Sequence, residues 1–366
     1  MILLHMADLH LDSRLSSRLD REKASLRRSE ILHTFERAVE YAAEKGAAGI
    51  LIAGDLFDRS DLSVHARRTV EQCIRRHPEI LFFYLKGNHD HDAFLSSLTD
   101  APENLKLFDD RWTNYRLGRV SLWGMELTAE NAATALRTLP AEQNTVRIVM
   151  LHGQEAESAG SRRSDPVIDL RDLRHRGIDY LALGHVHAYR RERLDARGVW
   201  CYPGCLDGRG FDECGDHGFV ELDIDEENGR ITDRFVPFAS RRLHAPQIDI
   251  SGVCDTPEAA ERIEAVLESA AIPPEDLVKL VLTGAVSVSA GIDLTYLETR
   301  FKDRFFYLTA EDATRLQIDA ADYYWDESLR GEFVRTVMAD PSVPEARRAS
   351  VIRLGLLALS GEEVSL

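Results

Sequence analysis

Up to about residue 240 the chain alternates short apolar runs with stretches whose apolar residues recur at helical spacing. Ile2–Met6, Gly49–Ala53 and residues 80–85, 146–151 and 178–183 predict buried strands. Residues 25–45 predict an amphipathic helix with Ile31, Phe35, Ala38 and Ala42 on one face and Gly46 as its stop. A second helix is predicted over residues 63–76, ending before Pro78. Residues 199–238 read as short strands broken by Gly and Asp, which predicts a second β-layer closing a sandwich.

Ser240-Arg241-Arg242 and Pro246 then mark a linker. Residues 246–318 predict a compact βαββα-type unit, with a helix over 256–271 and strands at Leu277–Thr283 and 305–308. Two helices are expected beyond Asp319, over 327–339 and 344–359, separated by Asp340-Pro341. Each carries one apolar stripe: Leu329, Phe333 and Val337 in the first, Val351, Leu354 and Leu357 in the second. The expected division is therefore 1–240, 246–318 and 326–366.

Each predicted strand of the first region is followed at once by polar residues able to bind metal. The blocks are Asp8-Leu9-His10, Gly54-Asp55, Gly87-Asn88-His89-Asp90, His152-Gly153 and Gly184-His185-Val186-His187. Ligands in open α/β sheets gather at the carboxyl ends of strands, so the blocks are expected to meet on one edge of one sheet. Carboxylate, amide and imidazole without thiolate suit Mn²⁺, Fe²⁺ or Zn²⁺. The set exceeds what a structural zinc requires, which points to two ions sharing a ligand. Asp8 and His10, two apart along a strand direction, face the same side. Asp55 ends a buried run and must meet positive charge there, which makes it the natural bridge. Asp8, His10, Asp55 and His187 are assigned to one ion, and Asp55, Asn88, His152 and His185 to the other. Any one of these residues alone is more often a cap, a turn or a satisfied core residue; five blocks after five strands have no such explanation.

Composition adds limits. With 366 residues, 44% hydrophobic and 29% charged, the chain reads as an ordinary globular protein of two or three units. The opening MILLHMADLHLD is broken by His5, Asp8 and His10, unlike a secretory core, and no membrane span is expected. Five cysteines, an odd number, argue for reduced thiols and a cytoplasmic location. Cys201, Cys205, Cys214 and His217 lack the close Cys pairs of a zinc site and are read as thiols of the β-layer. The net charge of −17 speaks weakly against DNA, whose phosphates are normally met by Lys and Arg. Residues 241–366 carry much of it, with 22 Asp and Glu against 13 Lys and Arg. Two divalent ions would cancel about 4 charges locally.

Taken together, Asp-x-His, Gly-Asp-x-x-Asp, Gly-Asn-His-Asp, a lone His-Gly and Gly-His-x-His resemble the calcineurin-like metallophosphoesterase superfamily. ADLHLDS (7–13), GDLFDR (54–59), LKGNHD (85–90), LALGHVH (181–187) and YPGCLDGRGFDE (202–213) resemble its bacterial SbcD-type DNA repair exonuclease branch. The resemblance implies an α/β fold, a four-layer β-sandwich flanked by helices, with a small α/β capping domain and C-terminal helices. It implies a metal-dependent phosphoesterase or deoxyribonuclease with two divalent ions, Mn²⁺ ahead of Fe²⁺ or Zn²⁺. A hydroxide between the ions would attack phosphorus in line. The implied partners are DNA, an SbcC-like SMC-type ATPase docking on the C-terminal helices, and a second copy of the chain.

By the same resemblance His89 acts on the phosphate, donating to the leaving or a non-bridging oxygen. Asp58 is expected to accept from His89 and fix its tautomer. The branch often has histidine at that position; phosphatases of the superfamily have aspartate followed by arginine, as in Asp58-Arg59, so Arg59 is a candidate phosphate contact. Arg14, with Arg18, Arg21, Lys23, Arg162 and Arg163, could track a DNA backbone or simply be solvated charge. Two rival readings follow: a phosphatase or phosphodiesterase on small or protein substrates, and a mainly structural subunit docking an ATPase.

Overall fold

In the computed structural model the described residues are 1–15, 19–58, 62–90, 93–142, 145–156, 165–287, 290–317 and 323–359. The chain divides between Arg242 and Leu243 into two units. The first begins with β1 (Ile2–Met6), α1 (Arg21–Glu44), β2 (Gly49–Ala53), α2 (Val64–Arg76), β3 (Leu81–Leu85) and β4 (Leu105–Leu107). Then come β5 (Thr113–Leu117), β6 (Val120–Gly124), β7 (Val146–His152), the short β8 (Gln154–Glu155) and β9 (Val167–Ile168), and β10 (Tyr180–Gly184). β11 (Arg190–Arg193), β12 (Val199–Tyr202), β13 (Gly218–Asp225) and β14 (Arg230–Pro237) complete it.

Two mixed six-stranded sheets result, in the orders β14-β13-β1-β2-β3-β4 and β11-β12-β10-β7-β6-β5. Wholly apolar runs become parallel central strands because both of their faces are covered. In the first sheet Leu4, Met6, Ile50, Ile52, Phe82 and Tyr84 pack toward Ile31, Phe35, Ala38 and Val70 of α1 and α2. Their alternate neighbours Leu3, Leu51, Phe83 and Leu85 meet Ile148, Met150, Tyr180 and Ala182 of the second sheet. The outer face of the second sheet, with Val149, Leu151, Leu181 and Leu183, is covered by Leu136, Leu139, Leu170 and Leu173. These are the four layers of an α/β sandwich, as expected.

Helix α1 starts earlier than its periodicity predicted because Asp20 caps it, accepting from the Lys23 amide at 2.8 Å. The larger difference concerns residues 199–238. They do not form a second layer of their own. β12 joins the second sheet beside β10, whereas the β13–β14 hairpin pairs antiparallel with β1, Leu3 opposite Leu222, and extends the first sheet. The second layer is built instead from β5–β7 and β10–β12, including the hairpin Thr113–Gly124 that the apolar runs did not reveal.

In the second unit Leu277–Thr283 is the central strand, parallel to Leu243–His244 and Gln247–Asp249 on one side and Tyr307–Asp312 on the other. Helices Thr256–Ala270 and Leu294–Phe301 contribute Ile263, Leu267, Leu297 and Phe301 to its core. Helices Leu329–Ala339 and Glu345–Leu359 bury Val334, Val337, Ile352 and Leu356. Leu329 and Val351 of the predicted stripes are exposed, and the Leu357 side chain lies outside the described residues. Both helices are apolar enough to offer more than one stripe, and packing selects between them. Among the described residues no helix is long and apolar enough to cross a membrane.

Phe35 is fully buried between α1 and the first sheet. Phe35→Ala is expected to lower the free energy of urea unfolding of the full chain by about 3–5 kcal/mol, more than a surface change on α1 would.

Candidate metal centre

Every block lies where its strand stops, but the blocks come from two sheets rather than one edge of one. Asp8, Asp55 and Asn88 follow β1, β2 and β3; His152 ends β7 and His185 follows β10. Face-to-face packing of the sheets brings them together, and His152 Nδ1 reaches across to the Ala53 carbonyl at 2.9 Å. Past the strand ends the main chains of β1 and β2 stay paired, Asp8 N to Gly54 O at 3.1 Å and His10 N to Asp55 O at 2.9 Å. That pairing holds Asp8 (φ 52°), His10 (φ 43°) and Asp55 (φ 52°) in the left-handed region; His185 has φ 111°. Such residues cost on the order of 1–3 kcal/mol each, and they concentrate at functional sites.

The glycines of the blocks have a steric reason. A Cβ on Gly54 would lie 2.0 Å from His152 Nδ1, and one on Gly87 would lie 2.1 Å from Asp55 Oδ1. Asp8, His10, Asp55 and His152 are each 2% exposed or less. The ligand atoms of Asp8, His10 and His187 fall within 4.8 Å of one another, as do those of Asp8, Asp55 and His152.

Hydrogen bonds on the far side of each ring decide what the near side offers. His10 Nδ1 faces Asp58 Oδ1 at 3.0 Å and His187 Nδ1 faces Glu213 Oε1 at 2.6 Å. Ionised carboxylates only accept, so both protons belong on Nδ1 and both Nε2 atoms present lone pairs. Those two Nε2 atoms stand 3.1 Å apart. His152 likewise gives its Nδ1 proton to Ala53 and turns Nε2 to Asn88 Oδ1 at 2.9 Å and Asp55 Oδ2 at 3.5 Å. Asp55 Oδ2 is also 3.7 Å from His10 Nε2, between the two groups. Acceptors converging in this way repel unless a cation joins them, and the mix of imidazole, carboxylate and amide oxygen fits Mn²⁺, Fe²⁺ or Zn²⁺. The Asp8 carboxylate accepts from the His185 amide at 2.9 and 3.0 Å, and His185 Nδ1 is 3.4 Å from Asn88 Oδ1.

The other predicted residues are placed less uniformly. The His89 side chain is half-exposed, 5.2 Å from His10 between ring centroids, while its amide donates to Asp55 Oδ1 at 2.9 Å. Asp58 lies 3.6 Å from His89 Nδ1, so its nearer partner is His10. Ser13 Oγ donates to the other Asp58 oxygen at 3.0 Å. Arg14 is exposed, its carbonyl accepting from Arg28. Arg59, Arg18, Arg162 and Arg163 lie outside the described residues. The thiols do not assemble as a ligand set: Cys201 is buried between the sheets, Cys205 contacts His217 at 3.2 Å, and Cys214 is exposed.

Three contributors escaped the sequence reading. Glu213 orients His187, and Arg209 shares the same Glu213 oxygen at 3.0 Å. Asp90 accepts from the amides of Leu56, Phe57 and Gly87 and so ties the Asp55 and Asn88 loops together. All three stand inside the quoted motifs, which was the available signal; their partners are too distant in sequence to infer. Burial and the neighbouring Asp55 push the Asp90 carboxyl up to about 6 against those amides. Burial would raise Glu213 too, but the His187 hydrogen bond and the Arg209 charge hold it well below the usual range. Burial takes His10 below the ordinary histidine value despite Asp58. For His187 the Glu213 hydrogen bond overcomes burial and raises it.

His152 shows the consequence most clearly. Burial alone would lower it, yet the Asp55 carboxylate raises it to about 9 and is itself held well below the carboxylate range. In the metal-free chain this pair stabilises the fold fully below the unfolded value of 6.5, while Asp55 stays ionised, and the gain is lost as pH rises through about 9. A metal ion must displace that proton. Mn²⁺ uptake near pH 7 is therefore expected to release protons, with apparent affinity rising up to about ten-fold per pH unit and flattening near 9. Calorimetric titration in buffers of different ionisation enthalpy checks this; uptake without proton release contradicts it.

The sequence profile described as calcineurin-like phosphoesterase matches residues 1–189. Among curated relatives, the uncharacterized metallophosphoesterase YhaO of Bacillus subtilis is 30% identical over 249 residues, covering 63% of this chain and 59% of YhaO. DNA double-strand break repair protein Mre11 of Sulfurisphaera tokodaii is 26% identical over 203 residues, covering 53% of this chain and 50% of its own length. The protein of the same name from Aeropyrum pernix is 29% identical over 249 residues, covering 61% and 58%. The matched part thus spans between half and three-fifths of each relative. With the profile covering the strands and blocks that build the centre, this chain belongs to the calcineurin-like phosphoesterase family.

Proposed function

We propose that this metal-dependent phosphoesterase is a phosphodiesterase whose substrate is DNA, working as an exo- or endonuclease subunit of an SbcCD-like repair complex. The observation that carries the chemistry is the convergence of the Nε2 atoms of His10, His152 and His187 on Asp8, Asp55 and Asn88. Asp8, His10, Asp55 and His187 would hold one divalent ion, and Asp55, Asn88, His152 and His185 the other, with Mn²⁺ the first choice. Ions there would supply Lewis acidity and activate water at neutral pH. His89, half-exposed at the rim, would donate a proton to the leaving oxygen or hold a non-bridging one. Asp58, hydrogen-bonded to His10 at 3.0 Å and 3.6 Å from His89 Nδ1, would help orient both imidazoles.

Support for DNA comes from the matched relatives named as double-strand break repair proteins, and Arg14, with Arg21 and Lys23, is offered for the phosphate backbone. The helices Leu329–Ala339 and Glu345–Leu359 are proposed to dock on an SbcC-like ATPase, with a dimer of this chain as the assembled form.

Activity is to be measured with Mn²⁺ on linear duplex, hairpin DNA and bis-p-nitrophenyl phosphate. His89→Ala is expected to lower kcat by about 10²–10³ without altering Mn²⁺ affinity, whereas Asp55→Asn weakens binding of both ions. Cleavage of the small ester with every DNA form intact would move the assignment to a small-substrate phosphodiesterase or phosphatase. A form of the chain ending at Asp319 should lose the ATPase in co-purification; equal recovery with the intact chain refutes docking through the helices.

A further inference from the structure

Residues 203–213 bring Arg209 and Glu213 under His187, yet they form no strand or helix. A buried charge pair holds them in place. Asp207 is 1% exposed; its Oδ1 accepts from the Arg27 guanidinium at 2.7 Å. Its Oδ2 accepts from Thr34 Oγ1 at 2.9 Å and from the Ser240 amide at 3.0 Å. Arg27 is equally buried on α1 and also donates to the Gly208 carbonyl at 3.0 Å and to Glu30 at 2.9 Å. Helix α1 therefore grips both the Asp207 side chain and the main chain one residue on. From there the Arg209 amide and guanidinium close on Glu213 at 2.7 and 3.0 Å, and Glu213 accepts from His187 Nδ1 at 2.6 Å.

A buried ion pair is a weak source of stability, since well-packed apolar residues of similar volume do as well. Its fork geometry and fixed partners are better suited to orientation. We propose that Arg27 and Asp207 are positioning residues for His187: by pinning residues 207–208 to α1 they set Glu213, and through it the imidazole whose Nε2 faces the ion site. The proposal rests on the two-metal reading above, and residues that orient a metal-bound histidine typically change affinity 10–100-fold when altered.

The test uses the full chain, Mn²⁺ alone as the probe, and two readouts. Arg27→Met with Asp207→Leu removes both charges and leaves neither unpaired, so the fold should survive. One of the two Mn²⁺ ions should then bind about ten-fold more weakly by electron paramagnetic resonance titration. In the metal-free chain labelled with ¹⁵N-histidine, the deshielded Nδ1 proton of His187 should shift upfield or vanish. Thr34→Val removes the hydroxyl that contacts Asp207, the Glu30 carbonyl and Ser240 Oγ, but no charge; it should move both readouts the same way by less, and it decides the matter should the double variant fail to fold. Wild-type Mn²⁺ affinity and an unmoved His187 resonance overturn the proposal, even alongside a lowered Tm, which would mark a merely structural pair. Should the wild type bind no Mn²⁺, the two-metal reading falls, and the histidine resonance still decides this one.

Discussion

Lone pairs and ionised oxygens cannot be packed against one another in a protein interior unless positive charge joins them. The facing Nε2 atoms of His10 and His187, 3.1 Å apart, state this constraint most sharply. Without metal, a proton on His187 or His152 can fill the role, and Glu213 and Asp55 raise both residues accordingly. The rest of the first unit reads as the means of imposing this unfavourable closeness. Two sheets end together, three left-handed residues bend the chain inward, and two glycines remove the Cβ atoms that would keep the loops apart.

The outer partners of the histidines are not equivalent. His10 and His187 are backed by carboxylates, which fix the ring and raise its basicity, whereas His152 is backed by the main-chain carbonyl of Ala53. An ion near His10 and His187 would have Asp58 and Glu213 behind its imidazole ligands, offset in part by Arg209. Asp90 has a different task. It binds main-chain amides and keeps the Asp55 and Asn88 loops in register.

Most of the strand-and-block layout was legible because a strand buried on both faces is a continuous apolar run, and the residue that follows it is where polarity returns. Sheet membership was not legible, since pairing of Leu3 with Leu222 is a choice among many apolar partners. Hence the blocks were expected on one sheet edge, and residues 218–237 in the opposite layer. β5, with only its last residue buried, carries too few apolar positions to announce itself. Asp58 illustrates a further limit: the family resemblance placed it beside His89, and it stands 3.6 Å from that imidazole, but its hydrogen bond to His10 at 3.0 Å is encoded by nothing in the spacing of 48 residues. In the tail helices Phe333 and Val337 of the predicted stripe do pack in the core, whereas Leu329 and Val351 are exposed, because an excess of apolar positions left packing a choice of stripe.

Acidity and phosphate chemistry are reconciled at the centre itself. Asp8, Asp55, Asp58, Asp90 and Glu213 crowd a small volume, and a phosphodiester approaching the metal-free chain would meet their combined field. Arg209 relieves it only in part: its guanidinium offsets Glu213 and stands 3.7 Å from Asp58, away from Asp8 and Asp55. Two divalent ions would cancel about 4 of these charges at the point of attack, whatever the net charge of −17 over the whole chain. Affinity for a phosphate substrate should then be conditional on metal, the loaded centre being the attractive point on an otherwise acidic chain.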